Sequence, residues 1–296
     1  MGPLADRVTG DAAGAARRGG EAWLFLLAFP CALLLLLFFL LPIGELVVRS
    51  FAGHPTGLQH YRQVFADTVY QGVFLNSLKI SLLVATVCTL LGYPVGVVLG
   101  SAKGTWRLTL TVMVYVPFLT SILVRSFSWI VILQKNGLVN WLLQAGGFVR
   151  EPLPLVYNRL GVVIGMTHVL LPFTIYCVAT ALRRVEPQIL WAAESLGARP
   201  AAVFRRIILP LSMPGVVIGF GLVFLLALGF YITPALLGGP ADLMVSQLID
   251  EQITRFGNWG LAAALSVILV VVTLGLLSAV AWLGYPHLRR FSGIRP

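Results

Sequence analysis

The chain has 296 residues, 58% of them hydrophobic and only 11% charged, with a net charge of +10. Soluble globular chains carry about a quarter charged residues, so the composition excludes a soluble enzyme or binding module and points to an all-α polytopic membrane protein. Nor is the positive charge a nucleic-acid footprint, because no basic cluster falls on a soluble stretch large enough to make one.

Residues 1–21, rich in Gly, Ala and Arg without apolar periodicity, are expected to form a disordered cytoplasmic tail. Six apolar runs of about 20 residues or more follow at 23–48, 73–100, 106–133, 160–182, 214–237 and 261–283, making one transmembrane domain over 22–284. Residues 285–296 are left as a cytoplasmic C-terminal tail. The first run follows Arg17 and Arg18 as a signal peptide would. A cleavable apolar core, however, spans roughly 7–15 residues and ends at a small-residue site, whereas this run continues through Pro42 to Val48 and is read as a spanning helix.

Span two carries Gly92, Gly96 and Gly100 at four-residue spacing, and span five repeats this with Gly215 and Gly219. This small-residue pattern lets helices approach closely, while Pro94, Pro172 and Pro234 supply kinks. Lys79, near the outer end of span two, is placed to snorkel. Arg125 is the strong charge inside span three; such a residue costs roughly 2.5–3.5 kcal/mol at a helix centre and is a functional candidate by default. Snorkelling to the outer interface or a buried ion pair is favoured over a gating role. Glu45, Asp250 and Glu251 are available to pair with these cations or to meet a partner protein. Trp129, Phe230 and Tyr231 are candidate pathway aromatics able to take a cation on their faces, with packing as the alternative for each. His168 reads as a packed, hydrogen-bonded residue, and Cys31, Cys88 and Cys177 lie in apolar runs at no metal-ligand or redox spacing. No catalytic, metal-binding or cofactor-binding constellation is recognisable.

With the amino terminus in the cytoplasm, thirteen Lys and Arg residues fall on the inner side against six on the outer. That satisfies the positive-inside rule and puts both termini in the cytoplasm. The segment joining spans four and five, about 187–210, then faces the cytoplasm. Pro187 suits the first turn of a helix, Ile189, Ala193 and Leu196 make one apolar stripe, and Gly197 ends the helix. Pro200 starts a second helix carrying Arg205 and Arg206, and Pro210 is read as its stop. Two readings fit this hairpin: an interfacial helix pair resting on the bilayer, or a docking element for a soluble partner. The chain has no G-x-x-x-x-G-K-[ST] loop, so any ATP is hydrolysed on another chain.

The hairpin resembles the EAA loop of permease subunits of ATP-binding-cassette (ABC) importers, whose pattern is EAA, three residues, G, nine residues, I, one residue, LP. Ala192, Ala193, Gly197, Ile207, Leu209 and Pro210 fall on that spacing. Trp191 stands where the motif has Glu, and Glu194 follows three residues later, so the resemblance implies an aromatic plug into the ATPase in place of a Glu salt bridge. The runs LKISLLVATVCTLLGYPVGVVLG, VPFLTSILVRSFSWIVILQKNGLVN and LGFYITPALLGGP are similar to permeases of spermidine/putrescine importers. The resemblance implies a type I importer permease fold in a bacterial inner membrane and three partners besides lipid: an ATPase dimer, a second permease subunit and an extracytoplasmic solute-binding protein. Related permeases carry opines, iron, thiamine or metal oxyanions. A proton-coupled secondary transporter, by contrast, would need an acidic or histidine relay within the spans, which this chain lacks.

Overall fold

A computed structural model of the chain describes the backbone over residues 5–52 and 57–292, and side chains over 28–52, 57–193 and 195–279. Every regular element in these residues is helical: α1 (Ala5–Phe51), α2 (Gln59–Ala66), α3 (Thr68–Ser101), α4 (Gly104–Tyr115), α5 (Ile122–Leu133), α6 (Leu138–Ala145), α7 (Arg159–Arg183), α8 (Pro187–Ser195), α9 (Pro200–Val203), α10 (Leu209–Leu228), α11 (Ile232–Leu237), α12 (Val245–Thr254) and α13 (Trp259–Ser292). The helix assignment of α1 takes in much of the stretch expected to be a disordered tail; alanine and arginine, both good helix formers, recur there. The side chains of that stretch and of 285–296 lie outside the described residues.

Among the described residues, six segments are long and apolar enough to cross a membrane: Ala28–Phe51, Thr68–Ser101, Ile122–Ala145, Arg159–Arg183, Pro200–Leu228 and Trp259–Ala279. The bundle is built around α7, two thirds of whose apolar window is buried. It is gripped from both sides by glycine. On one side α3 brings Gly92 against Thr174, Gly96 against Val178 and Gly100 against Leu182; a Cβ on Gly96 would stand 2.8 Å from the Val178 Cβ. On the other side α10 brings Gly215 and Gly219 against Cys177 and Thr174, and a Cβ on Gly215 would stand 2.6 Å from the Cys177 carbonyl oxygen. The glycine stripes therefore set interhelical distance in a membrane where apolar burial against lipid supplies no drive. Ile80, Val84, Met166, Leu170, Val223 and Ala227 fill the core between the three helices.

Two spans depart from the expected continuous helices. The third is broken: α4 tightens into a 3-10 turn at Val116–Leu119, and the chain is extended at Thr120 and Ser121 before α5 starts. Pro117 has no N–H to continue the ladder, and Thr120 Oγ1 donates back to the Pro117 carbonyl at 2.7 Å, a local bond that competes with helix. The fifth is displaced and split. Its helical run goes from Pro200 to Leu228, then breaks over Gly229–Tyr231 before the short α11. Pro210 lies inside this continuous run, two residues past the π-helical turn Phe204–Ile208, and does not stop the chain. The carbonyl of Phe230, freed by the break, accepts from Ser246 Oγ at 2.6 Å.

Candidate functional site

The hairpin closes the bundle at the end where α7 stops. Pro187 begins α8, and Ser195 Oγ donates to the Trp191 carbonyl at 2.9 Å. Gly197 adopts φ +73°, and the Ala198 N–H reaches back to the Ala193 carbonyl at 3.0 Å. Together these form a left-handed glycine stop with its six-residue closing bond. Arg199 is extended, Pro200 opens α9, and residues Phe204–Ile208 make one π-helical turn that feeds into α10. Such turns are rare and gather at functional positions.

The apolar stripe of α8 is left largely uncovered by the described residues. Trp191 is 58% exposed and Leu196 at the tip 87%, with Ile189 also exposed and Ala193 half-buried. Of the other motif residues, Ala192 and Leu209 are exposed while Ile207 and Pro210 are half-buried; the Glu194 side chain lies outside the described residues. The base of the hairpin, in contrast, is tied down. Tyr93 on α3 meets the Phe204 ring edge-on at 6.2 Å, and its hydroxyl lies 3.0 Å from Ser212 Oγ, which donates to the Leu209 carbonyl. An exposed apolar tip on an anchored base is suited to dock a partner and pass its motion into α10.

The candidate pathway residues do not form one lining. Arg125 lies in the first turns of α5, only 7% exposed, and its Nε and Nη1 have no hydrogen-bond partner. This corrects both expectations for it: it neither snorkels nor pairs with an acid among the described residues. The reason is the break, which makes Arg125 the start of a helix packed on α7 and α11 and not the middle of a lipid-facing one. One turn on, Trp129 Nε1 donates to His168 Nδ1 at 3.1 Å, which gives His168 the packed, bonded role expected of it. Phe230 packs into the main core, and Tyr231 is exposed, donating to Asp250 Oδ2 at 3.0 Å. Glu45 pairs with Arg49 within α1, and Glu251 with Arg255 at the end of α12.

Sequence reasoning missed the polar latch at the end away from the hairpin. Arg159 bonds buried Asp242 at 3.2 Å and Asn76 Oδ1 at 2.7 Å; Asn76 Nδ2 donates to the Leu243 carbonyl, and Ser77 Oγ accepts from the Val245 N–H. Adjacent polar residues Asn76 and Ser77 in an otherwise apolar run were the available signal. Buried Asn140 similarly fixes the loop after α6, exchanging bonds with the Leu153 backbone while its Nδ2 also donates to the Gln134 carbonyl.

Residues 92–284 match the family described as binding-protein-dependent transport system inner membrane component. The chain is 32% identical over 252 residues to the spermidine/putrescine transport system permease protein PotB of Haemophilus influenzae, covering 85% of this chain and 86% of that one. It is likewise 32% identical to PotB of Escherichia coli K12, over 76% of this chain and 81% of that protein. The molybdenum transport system permease protein ModB of Mycobacterium bovis is 30% identical over 68% of this chain and 75% of its own length. Among solved structures, a bacterial alginate ABC transporter in complex with an alginate pentasaccharide-bound periplasmic protein superposes with a TM-score of 0.72 at 18% identity, covering 95% of this chain and 99% of that one. A chain of the MetNI methionine ABC transporter in an inward-facing conformation gives 0.56 at 16% identity, over 75% of this chain and 99% of its own. At these identities the structures establish the fold, that of an ABC importer permease.

Proposed function

The chain belongs to the family of binding-protein-dependent transport system inner membrane components, and from that premise we propose that it is the permease of an ATP-driven polyamine importer, coupled to its ATPase through the 187–210 hairpin. The observation that carries the coupling is the exposed tip, Trp191 and Leu196, on a base anchored to α3. Both termini lie in the cytoplasm of a bacterial cell, the hairpin faces an ATPase dimer, and the opposite end, with the Asn76–Arg159–Asp242 latch, faces an extracytoplasmic solute-binding protein. A second permease subunit completes the pathway. ATP is bound and hydrolysed on the partner chain.

ATP binding closes the ATPase dimer and moves the hairpin tip. Trp191, in place of the motif's glutamate, engages as an aromatic plug. From Pro200 to Leu228 the helical run is unbroken, so displacement of the tip becomes displacement of α10 against α7 across the Gly215–Gly219 seam, a sliding of packed helices. The far end of α10 is the Gly229–Tyr231 break, where the movement is absorbed beside α11. Polyamine cargo is supported by the 32% identity to PotB over most of both chains. An inward-moving polycation gains about 2.3 kcal/mol per charge per 100 mV, so selection falls to the binding protein and gating to the tightly packed seams.

One observation favours a second cargo class. ModB is also a relative, and Arg125 is a buried cation with no acid paired to it among the described residues, an arrangement that suits an anion better than a polyamine. Uptake of radiolabelled spermidine, putrescine and molybdate into proteoliposomes holding the co-purified complex decides between them. Saturable polyamine uptake requiring ATP and the binding protein is expected. ATP-dependent uptake of molybdate in place of polyamine would leave the importer standing and remove the cargo assignment.

A further inference from the structure

We infer that the Asn76–Arg159–Asp242 latch is a strained lock: it restrains the end of α10 away from the hairpin, and its strength sets how fast the partner ATPase turns over when no solute-binding protein is docked. This rests on the reading above, in which α10 carries the hairpin's movement and the latch end faces that protein.

The restraint follows from the course of the chain after α10. Beyond the Gly229–Tyr231 break, α11 lies against α5 and α7, with Thr233 beside Ser126 and Leu237 beside Gly165. From Leu237 the chain crosses the start of α7 to reach α3. There Asp242 accepts from Arg159 Nε, Asn76 Nδ2 donates to the Ala241 and Leu243 carbonyls at 3.3 and 3.0 Å, and the Val245 N–H donates to Ser77 Oγ at 2.9 Å. Met244, fully buried, enters the core formed by α3, α7 and α10. Among the described residues Arg159–Asp242 is the ion pair that joins distant elements; the other two, Glu45–Arg49 and Glu251–Arg255, span one helical turn each. Residues 229–239 alone connect α10 to this tied segment, so displacement of α10 along α7 loads the connection and, through it, the latch.

The closed latch is also held against local strain. Tyr157, two residues before Arg159, has φ +61°, in the left-handed region that side chains disfavour. Its ring is 60% exposed, so packing compensates little. The surround imposes the conformation: Asn158 donates to the Pro154 carbonyl and accepts from the Gly161 N–H at 3.0 Å, and Gly239 lies on the Tyr157 carbonyl, where a Cβ would stand 2.5 Å from the oxygen. A staple that only joined helices would be tightest with glycine at 157, which adopts this backbone freely. Tyrosine there makes the closed state shallower, as a lock that must open requires. Coupling of this kind is reciprocal: if moving α10 loads the latch, then opening the latch favours movement of α10 by the same free energy. Tyr157 and Arg159 are the exposed parts that a docked protein reaches, whereas Asp242 is buried.

The test is ATP hydrolysis per assembled complex, measured on the purified transporter in lipid nanodiscs with and without its binding protein, beside the thermal midpoint of each complex. Asp242→Asn and Arg159→Gln are each expected to raise hydrolysis without binding protein about fivefold or more, and the double variant to match the singles within about twofold, since all three break one contact. Tyr157→Gly is expected to act in the opposite direction, raising the midpoint while lowering unstimulated hydrolysis about twofold or more. A latch that is only structural would shift midpoints and leave hydrolysis unchanged. That result in Arg159→Gln and Tyr157→Gly, both at exposed positions, overturns the proposal even where Asp242→Asn fails to assemble. Changes of the same sign in both variants overturn it too. Wild-type hydrolysis that the binding protein does not stimulate removes the coupling reading and this proposal with it; stimulation present in the wild type and untouched by the variants removes this proposal alone.

Discussion

Under the proposed coupling, Trp191 is the residue to test, and its exposure makes it a clean target. It is absent from the buried core, so Trp191→Ala is expected to leave this chain and the companion permease at normal levels in the membrane while ATPase retention falls at least tenfold. Retention unchanged, measured by quantitative co-purification, would assign the contact elsewhere on the hairpin. Gly96 is the converse case. A Cβ there meets Val178 at 2.8 Å and the Ile175 carbonyl at 3.0 Å, and neither backbone nor a β-branched side chain yields easily. Gly96→Ala is expected to cost about 1–3 kcal/mol through overpacking, read as a lowered thermal unfolding midpoint of the purified complex. By contrast Gly72, with nothing near its Cβ position, is expected to accept alanine without loss.

At the scale of elements, the hairpin and the two broken spans carry the account. The π-helical turn Phe204–Ile208 sits where the tip joins α10, held by the Tyr93–Ser212 contact. A single such hydrogen bond contributes about 0.5–1.5 kcal/mol, too little to unfold the bundle but enough to loosen the joint. Tyr93→Phe combined with Ser212→Ala is therefore expected to keep ATP hydrolysis while lowering cargo moved per ATP severalfold; equal loss of both activities would mean that the contact is only structural. The hairpin was legible in the sequence because its signals are local: Pro187, Gly197, Pro200 and the 191–210 spacing. The broken spans were not. Hydropathy sees 106–133 and 214–237 as uniform apolar runs, and whether Pro117 or Gly229 kinks a helix or interrupts it depends on which neighbours satisfy the freed backbone groups. Ser246, which takes the Phe230 carbonyl, lies sixteen residues away. Arg125 changed meaning for the same reason, since its burial follows from the break before it.

For the whole molecule, the central helix and its two glycine seams were foreshadowed by residue spacing, but that both seams grip the same helix, α7, is a property of the packing alone. Under the proposed coupling, α10 moves against α7 across the Gly215–Gly219 seam. Whether the hairpin drives that movement or rests on the bilayer is the question that decides the account, and it has a direct measurement. With Cys31, Cys88 and Cys177 replaced by alanine, Leu196→Cys in membranes containing the intact transporter is treated with a short bifunctional cross-linker, with and without ATP. The account predicts a cross-link to the ATPase whose yield changes with nucleotide. Labelling of Leu196→Cys by lipid-phase reagents, with no ATPase adduct in either state, would contradict it.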